Sequence, residues 1–434
     1  MKNFTVKKYN FLMFVALFII LLYSFNISFI NVLFKNQYIP LFLIFISLVL
    51  IFIANCKYMK KGQINILLLF ISFAAFLVAF RNGDILNKHF ALPFYTLYAL
   101  ICLYLLSFTN AWNNIFLKLV GFFTKEHILG TIFCAIFRNF YLAKILPLFP
   151  EHRAELLYEY NHNQIAGITQ HYSTNTIYLT IGFIQNLYLL IFDKRDNGTL
   201  KVKNVIWFIL NSIALLLTGK RTQIVIVLLV IIFTIIILNR KNIINAFNKL
   251  IKFALLAISL IVIISLINPN ITNSFVRIFE SLSDSQTMVS RNILYDFAKE
   301  EFEQNPIIGI GWGNYKYEYN KKVINKEKEY INVHNMYLQL LCETGVLGFL
   351  YFVLLFLYLM INVCRDIIKH STEENMLYLY IFFGMNIYFL LDGVLGNSLY
   401  DIQLFIPYSF FCAMFLFHHF NEKMQKLTTY KNQL

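Results

Sequence analysis

Asn305-Pro306-Ile307-Ile308-Gly309-Ile310-Gly311-Trp312-Gly313-Asn314 and Val333-His334-Asn335-Met336-Tyr337-Leu338-Gln339-Leu340-Leu341-Cys342-Glu343-Thr344-Gly345-Val346-Leu347-Gly348 lie at the end of one long interval. That interval, from Asn268 to about Gly348, is the only long part of the sequence without a membrane-length apolar run. On either side the chain is built of apolar runs of about 18–24 residues, which match the hydrocarbon thickness of a bilayer. The 434 residues are 59% hydrophobic and only 14% charged, a composition foreign to soluble domains. Continuous runs exclude a β-barrel, whose strands alternate. The expected fold is an all-α polytopic membrane protein with about twelve transmembrane helices. A large, partly helical outer loop separates the ninth from the tenth.

The spans fall at roughly 11–33, 39–55, 64–80, 90–108, 128–148, 173–192, 204–219, 222–239, 252–268, 337–363, 376–396 and 402–420. Arg138 and Lys144 interrupt the fifth. The stretch 112–127, with Trp112, Phe116, Phe122 and Phe123 beside Lys118 and Lys125, reads as an amphipathic helix lying on the membrane. Lys2, Lys7 and Lys8 precede the first run, which lacks a cleavage site and reads as an uncleaved span.

Net charge is +14. Lys and Arg crowd one set of short loops, among them Lys57, Lys60, Lys61, Lys194, Arg195, Arg240 and Lys241. By the positive-inside bias those loops are cytoplasmic, both termini are cytoplasmic, and the loop 269–336 is outside. The excess charge thus reports orientation, and nucleic acid is not expected as a partner. The whole chain, 1–434, reads as one integral membrane domain with a smaller outer loop at 149–172 and a larger one at 269–336. Loops of that size are usually functional. The six cysteines are scattered without a CxxC pair and read as small core hydrophobes.

Within the large loop, Ile293, Leu294, Phe297, Ala298 and Phe302 recur at helical spacing after Ser290, the expected N-cap. Pro306 and three alternate glycines end that helix. Gly309-x-Gly311-x-Gly313 is not a dinucleotide fingerprint, because no strand precedes it. Gly219-Lys220-Arg221-Thr222 lacks the upstream glycine of a phosphate-binding loop. His418-His419 has no third metal ligand nearby in sequence.

Four groups could carry chemistry. Arg221, with Lys220, opens a span from a short outer turn, where the helix N-terminus adds partial positive charge for an anionic headgroup or pyrophosphate. Snorkelling to lipid phosphate is the competing reading. Arg291 offers a bidentate fork to phosphate oxygens, against a plain salt bridge with Asp296 or Glu300. His334 stands just outside a helix that Asn335 caps, so the dipole favours a neutral ring able to accept a proton; a packed loop histidine is the alternative. Trp312, Tyr315, Tyr317 and Tyr319 suit sugar stacking, against an interfacial aromatic belt. The run of Glu318, Lys321, Lys322, Lys326, Glu327, Lys328 and Glu329 reads as a solvated face.

Together these residues resemble the O-antigen ligase/O-antigen polymerase superfamily. The resemblance lies in Ser290-Arg291, in Asn305 to Gly311, in His334-Asn335 with Tyr337, and in Glu343 to Gly348. Thr218-Gly219-Lys220-Arg221 resembles the start of the shared region. Gly167-Ile168-Thr169-Gln170-His171-Tyr172-Ser173-Thr174-Asn175 is similar to the preceding segment of capsular repeat-unit polymerases. The resemblance implies a metal-independent glycosyltransferase of the bacterial inner membrane, working at its outer face without a cofactor. Its donor is a saccharide on undecaprenyl pyrophosphate, its setting membrane lipid, and its partners a chain-length regulator and a flippase. Arg221, Arg291 and His334 are then catalytic, while Lys220, Asn335, Arg153, His171, Trp312 and Tyr315 bind substrate. The sequence departs from the pattern before Gly167, where relatives often carry Arg; here Gln164 is closest and Arg153 more distant. A repeat-unit polymerase is the first expectation and an O-antigen ligase the second. A polysaccharide flippase is third, against which stand the large loop and the lack of evident internal repeats.

Overall fold

The computed structural model describes residues 2–33, 38–56, 91–193, 201–242, 244, 247–248, 251, 285–324, 332–369 and 373–431. The expected spans 64–80 and 252–268 lie outside these residues. Everything regular among the described residues is helix. In chain order the main helices are α1 (Lys2–Phe25), α2 (Ile27–Leu33), α3 (Tyr38–Asn55), α4 (Ala91–Leu106), α5 (Asn113–Ile136), α6 (Arg153–Asn161) and α7 (Tyr172–Phe192). They continue with α8 (Val202–Leu217), α9 (Arg221–Leu238), α10 (Ser285–Gln304), α11 (Tyr315–Tyr319), α12 (Met336–Lys369), α13 (Glu373–Leu395) and α14 (Ile402–Lys431).

Seven helices among the described residues are long and apolar enough to cross a membrane: those beginning at Lys7, Asn113, Tyr172, Arg221, Met336, Met376 and Ile402. The protein is therefore a multi-pass membrane protein. Its apolar side chains face both ways: Phe11, Phe42 and Leu354 are exposed, while Met13, Ile44 and Phe410 are buried. That is the pattern expected where lipid, not water, meets the outer surface.

Some boundaries differ from the sequence reading: the run 11–33 is divided between α1 and α2. The stretch 112–127 is not a separate surface helix, and 128–148 is not one span. Asn113–Ile136 forms a single helix of 24 residues, followed by short turns of mixed helical type from Arg138 to His152. Pro147 and Pro150 each lack an amide hydrogen and hold the chain in 3-10 turns there. The apparent amphipathicity misled because Lys125 does not need water; its ammonium lies 4.8 Å over the Trp207 ring.

The chain forms two compact units, each drawn from more than one stretch of sequence. The first comprises Met1–Ser24, Tyr38–Leu117 and Ser285–Leu434; the second comprises Phe25–Gln37 and Lys118–Asp284. In the first unit α14 packs along α4, α13 lies against both α12 and α14, and α10 lies against α12. In the second, α7 is central, with α8 and α9 packed on it. Its buried ring stack of Phe25, Phe123, His127 and Tyr178 fixes α7 near its middle.

Candidate functional site in two units

In the first unit, helix α12 is broken at Gly345, whose φ of 62° and ψ of −170° are open only to glycine. A break inside an apolar helix leaves carbonyls unsatisfied on one side and amides on the other. The loop Pro306–Gly311 supplies both sets of partners. Ile310 and Gly311 donate their N–H groups to the carbonyls of Cys342 and Glu343 at 3.1 and 2.8 Å. Val346 and Leu347 donate to the carbonyls of Pro306 and Ile307 at 2.9 and 3.3 Å. The approach is so close that a Cβ at Gly309 would overlap the Glu343 backbone, and one at Gly345 would overlap Ile307. The Asn305–Asn314 and Val333–Gly348 motifs are thus one object, a loop splinting a broken helix.

Glu343 completes it. Its buried carboxylate accepts from Gly313 N–H at 2.8 Å, Tyr315 N–H at 3.1 Å and Gln339 Nε2 at 3.2 Å. Gln339 in turn accepts from Val333 N–H at 3.2 Å. Asn335 caps the helix as expected, with Oδ1 accepting from Leu338 N–H at 2.9 Å. His334, between these two fixed points, is exposed and holds a left-handed φ of 59°. A non-glycine residue in that region stores strain, and such strain concentrates at functional sites.

Arg291 is half-buried on α10. That helix begins at Ser285, so Ser290 is inside it and is not its N-cap, and Arg291 stands in its second turn. The missed turn, Ser285-Gln286-Thr287-Met288-Val289, has no apolar periodicity to announce it. Leu294, one turn on, joins Phe297, Ala298, Tyr315, Tyr319, Val333 and Cys342 in one core cluster. Arg291 and His334 are therefore carried by segments anchored in the same core.

Tyr315 belongs to that cluster, and Trp312 is packed elsewhere in the same unit; neither lies on an open face. Trp312 is 4% exposed, sandwiched by Tyr400 at 5.2 Å and Phe352 at 5.5 Å. Tyr315 is fully buried and donates its hydroxyl to the Leu294 carbonyl. The expected solvated face also has a structural end, since Lys322 pairs with buried Glu301 at 2.5 Å. Burial, the largest effect, lowers the Lys316 ammonium, while Asp401 and Glu343 work against it.

In the second unit, Lys220 is the N-cap residue of α9 and Arg221 its first residue, both half-buried. The turn before them is docked onto the segment 163–165. Ile165 donates its N–H to the Leu217 carbonyl at 3.1 Å, and Gly219, at a φ of 66°, sits against Asn163 and Gln164. The segments 163–175 and 217–221, which carried separate parts of the resemblance, are neighbours.

Beside them lies a cluster of side chains contributed by α6 and the start of α7. His171 caps α7 with Nδ1 accepting from Ser173 N–H at 2.9 Å. Glu159 accepts from Tyr172 N–H at 3.2 Å, so the first two amides of α7 are satisfied by side chains. His171 Nε2 faces Glu159 Oε1 at 3.0 Å and Glu155 Oε1 at 3.4 Å. Burial pushes the Glu159 carboxyl up to about 8, opposed by the Tyr172 N–H and reinforced by Glu155. Burial, with Lys220 and His152 acting in the same direction and Glu155 against it, lowers His171 to about 4.

Glu155, Glu159 and His171 present ligand atoms within 4.8 Å of one another, a spacing a cation would accept. The ring argues against that use. Nδ1 accepts a backbone hydrogen, so the neutral imidazole carries its proton on Nε2, the atom a metal would need bare. Lys220 adds positive charge nearby. Arg153, the remaining candidate, is exposed at the first position of α6. It lies two residues, over half a helical turn, from Glu155, so the structure does not bring it to this cluster. Sequence reasoning missed Glu159, Glu343 and the buried pair of His419 Nδ1 with Asp366 at 2.7 Å. Only the Glu343-Thr344-Gly345 motif carried a signal for any of them.

No match was found among curated proteins. Residues 206–353 match the family model described as O-antigen ligase. The matched stretch takes in Arg221, Arg291, His334, the splinting loop and the break at Gly345. Over residues 206–353, about a third of the chain, the sequence is thus similar to the O-antigen ligase family, consistent with the O-antigen ligase/polymerase superfamily.

Proposed function

We propose that the protein is an oligosaccharide repeat-unit polymerase. It transfers a glycan chain from undecaprenyl pyrophosphate to the next lipid-linked repeat, in O-antigen, capsule or exopolysaccharide synthesis, at the outer face of the inner membrane. The observation that carries this reading is the family match across the stretch bearing Arg221, Arg291 and His334. Similarity of Gly167–Asn175 to capsular repeat-unit polymerases favours a polymerase. The description of the matched family as O-antigen ligase favours the second reading, transfer to a lipid A-core acceptor.

In the proposed reaction an acceptor hydroxyl attacks the anomeric carbon and the bond to the diphosphate breaks. The electron pair leaves with the diphosphate, whose growing charge Arg221 and Arg291 stabilise. His334 takes the hydroxyl proton. The donor is already activated as a phosphate ester of the anomeric carbon, so this reading calls on no nucleotide.

Surface polysaccharide from a deletion strain carrying each variant tests the assignment. Arg221→Ala, Arg291→Ala and His334→Ala should each abolish elongation with protein still in the membrane, leaving single repeats; Arg221→Lys should recover only part. Undelivered long chains in the deletion strain would identify a ligase instead. Normal polymer in all three alanine variants would remove the site.

A further inference from the structure

Trp312 and Tyr315 are buried, and α6 offers a sugar ring a more exposed aromatic surface than Tyr317, which is 45% exposed. Tyr158 is 63% exposed, the most exposed tyrosine among the described residues, and its ring lies on the His162 ring at 4.1 Å. Packing against His162 fixes its orientation although it stands at the surface, and the His162 ring is itself held by a hydrogen-bond contact between Nδ1 and the Tyr158 carbonyl at 2.8 Å. Glu155 is one helical turn away on the same face.

Glu155 is not a free surface carboxylate. Oε1 faces His171 Nε2 at 3.4 Å and Oε2 faces His152 Nδ1 at 3.4 Å, while half of the side chain, 51%, stays exposed. Behind it is Glu159, 3% exposed, whose Oε1 points into the cluster without an aligned hydrogen bond. His171 also stacks on Tyr172 at 4.7 Å, and both are half-buried. A flat ring with an apolar face beside a carboxylate whose direction is fixed in advance is the pairing that suits a pyranose. The ring covers the C–H face, and the carboxylate accepts from neighbouring hydroxyls. A lipid-facing aromatic belt would call for the tyrosine but not for a carboxylate one turn away held by two imidazoles.

We propose that Tyr158 and Glu155 form a saccharide-binding edge for the lipid-linked repeat, with His171 and His152 as positioning residues for Glu155. This deepens the polymerase reading and rests on it. The segment lies outside the matched residues 206–353.

The test uses the full chain in liposomes with lipid-linked repeat units extracted from the source strain. Glu155→Gln and Tyr158→Ala should each raise KM about tenfold or more, the scale of one charged hydrogen bond or one stacked ring, with kcat changed less than about threefold. Tyr158→Phe should retain wild-type KM, and Tyr158→Leu should not. A Leu variant that behaves as wild type would show that the ring serves only the membrane interface, overturning the proposal. Unchanged KM in Glu155→Gln, with Arg221→Ala inactive, would also overturn it while leaving the polymerase reading intact. Elongation that survives Arg221→Ala would fault the underlying reading instead. Stoichiometric Mn²⁺ binding by wild type and not by Glu155→Gln would make the cluster a cation site and overturn the saccharide assignment.

Discussion

The loop around His334 and the rim around Arg221 are held by different physics. In the loop behind His334 four backbone hydrogen bonds, from Ile310, Gly311, Val346 and Leu347, are gathered on glycines that alone allow the close approach, and the Glu343 carboxylate completes them. Near Arg221 the restraints include ionisable side chains, with His171 and Glu159 capping α7 and Lys220 acting on the same imidazole. The first arrangement should fail sharply on a single methyl group. The second should tolerate small steric changes and respond to protons.

The sharpest way to break the first region is Gly345→Ala. The new Cβ meets the Ile307 backbone, and the backbone angles are themselves glycine-only, so the expected cost is about 3 kcal/mol or more. The thermal midpoint in detergent should fall by several degrees and elongation should be lost. A variant with wild-type melting would mean that the loop does not splint the helix.

The second region is probed by pH. Glu159 is raised from 4.5 to about 8, so folded protein binds the extra proton and stability falls as pH rises across that window. His171 is lowered from 6.5 to about 4, so stability is whole above the upper value and falls as pH drops toward the lower. Each contributes a slope of up to about 1.4 kcal/mol per pH unit. The two slopes oppose each other between about pH 4.5 and 6.5, so thermal midpoints should be level there and fall above it, and Glu159→Gln should flatten the alkaline limb. An alkaline limb unchanged in Glu159→Gln would assign it to another group.

Asn335→Ala gives a smaller effect. Loss of one N-cap costs about 1 kcal/mol, and Asn335→Asp should retain most of it. Because His334 is the adjacent residue, the alanine variant should lower kcat more than the melting change alone accounts for. Equal loss of activity and of folded protein would confine Asn335 to capping. Arg153→Ala is expected to change least, with elongation within about twofold of wild type and melting within about 0.5 kcal/mol. A large loss there would return Arg153 to the substrate site.

Much of the helical framework was open to a reader of the chain, because long apolar runs leave few alternatives to a membrane helix. The Asn335 cap and the helix stop at Pro306 were equally plain, being short-range chemistry. The failures share a cause. Lys125 looked like a surface residue because its partner ring, Trp207, is far along the chain. Trp312 looked available because Phe352 and Tyr400 come later in sequence. The His171–Glu159 contact joins residues from a helix and the next helix cap, with no period to betray it. Local rules read local structure; the partners of polar and aromatic side chains are settled by folding.

The splint at Gly345 also sets an order of events during synthesis. Pro306 and Ile307 leave the ribosome before Val346 and Leu347, so their carbonyls wait for donors that do not yet exist. A nascent chain stalled before Gly345 would carry half of a joint, with the carbonyls of Pro306 and Ile307 still without their donors. Completion of the joint therefore waits on donors that lie just beyond a single achiral residue.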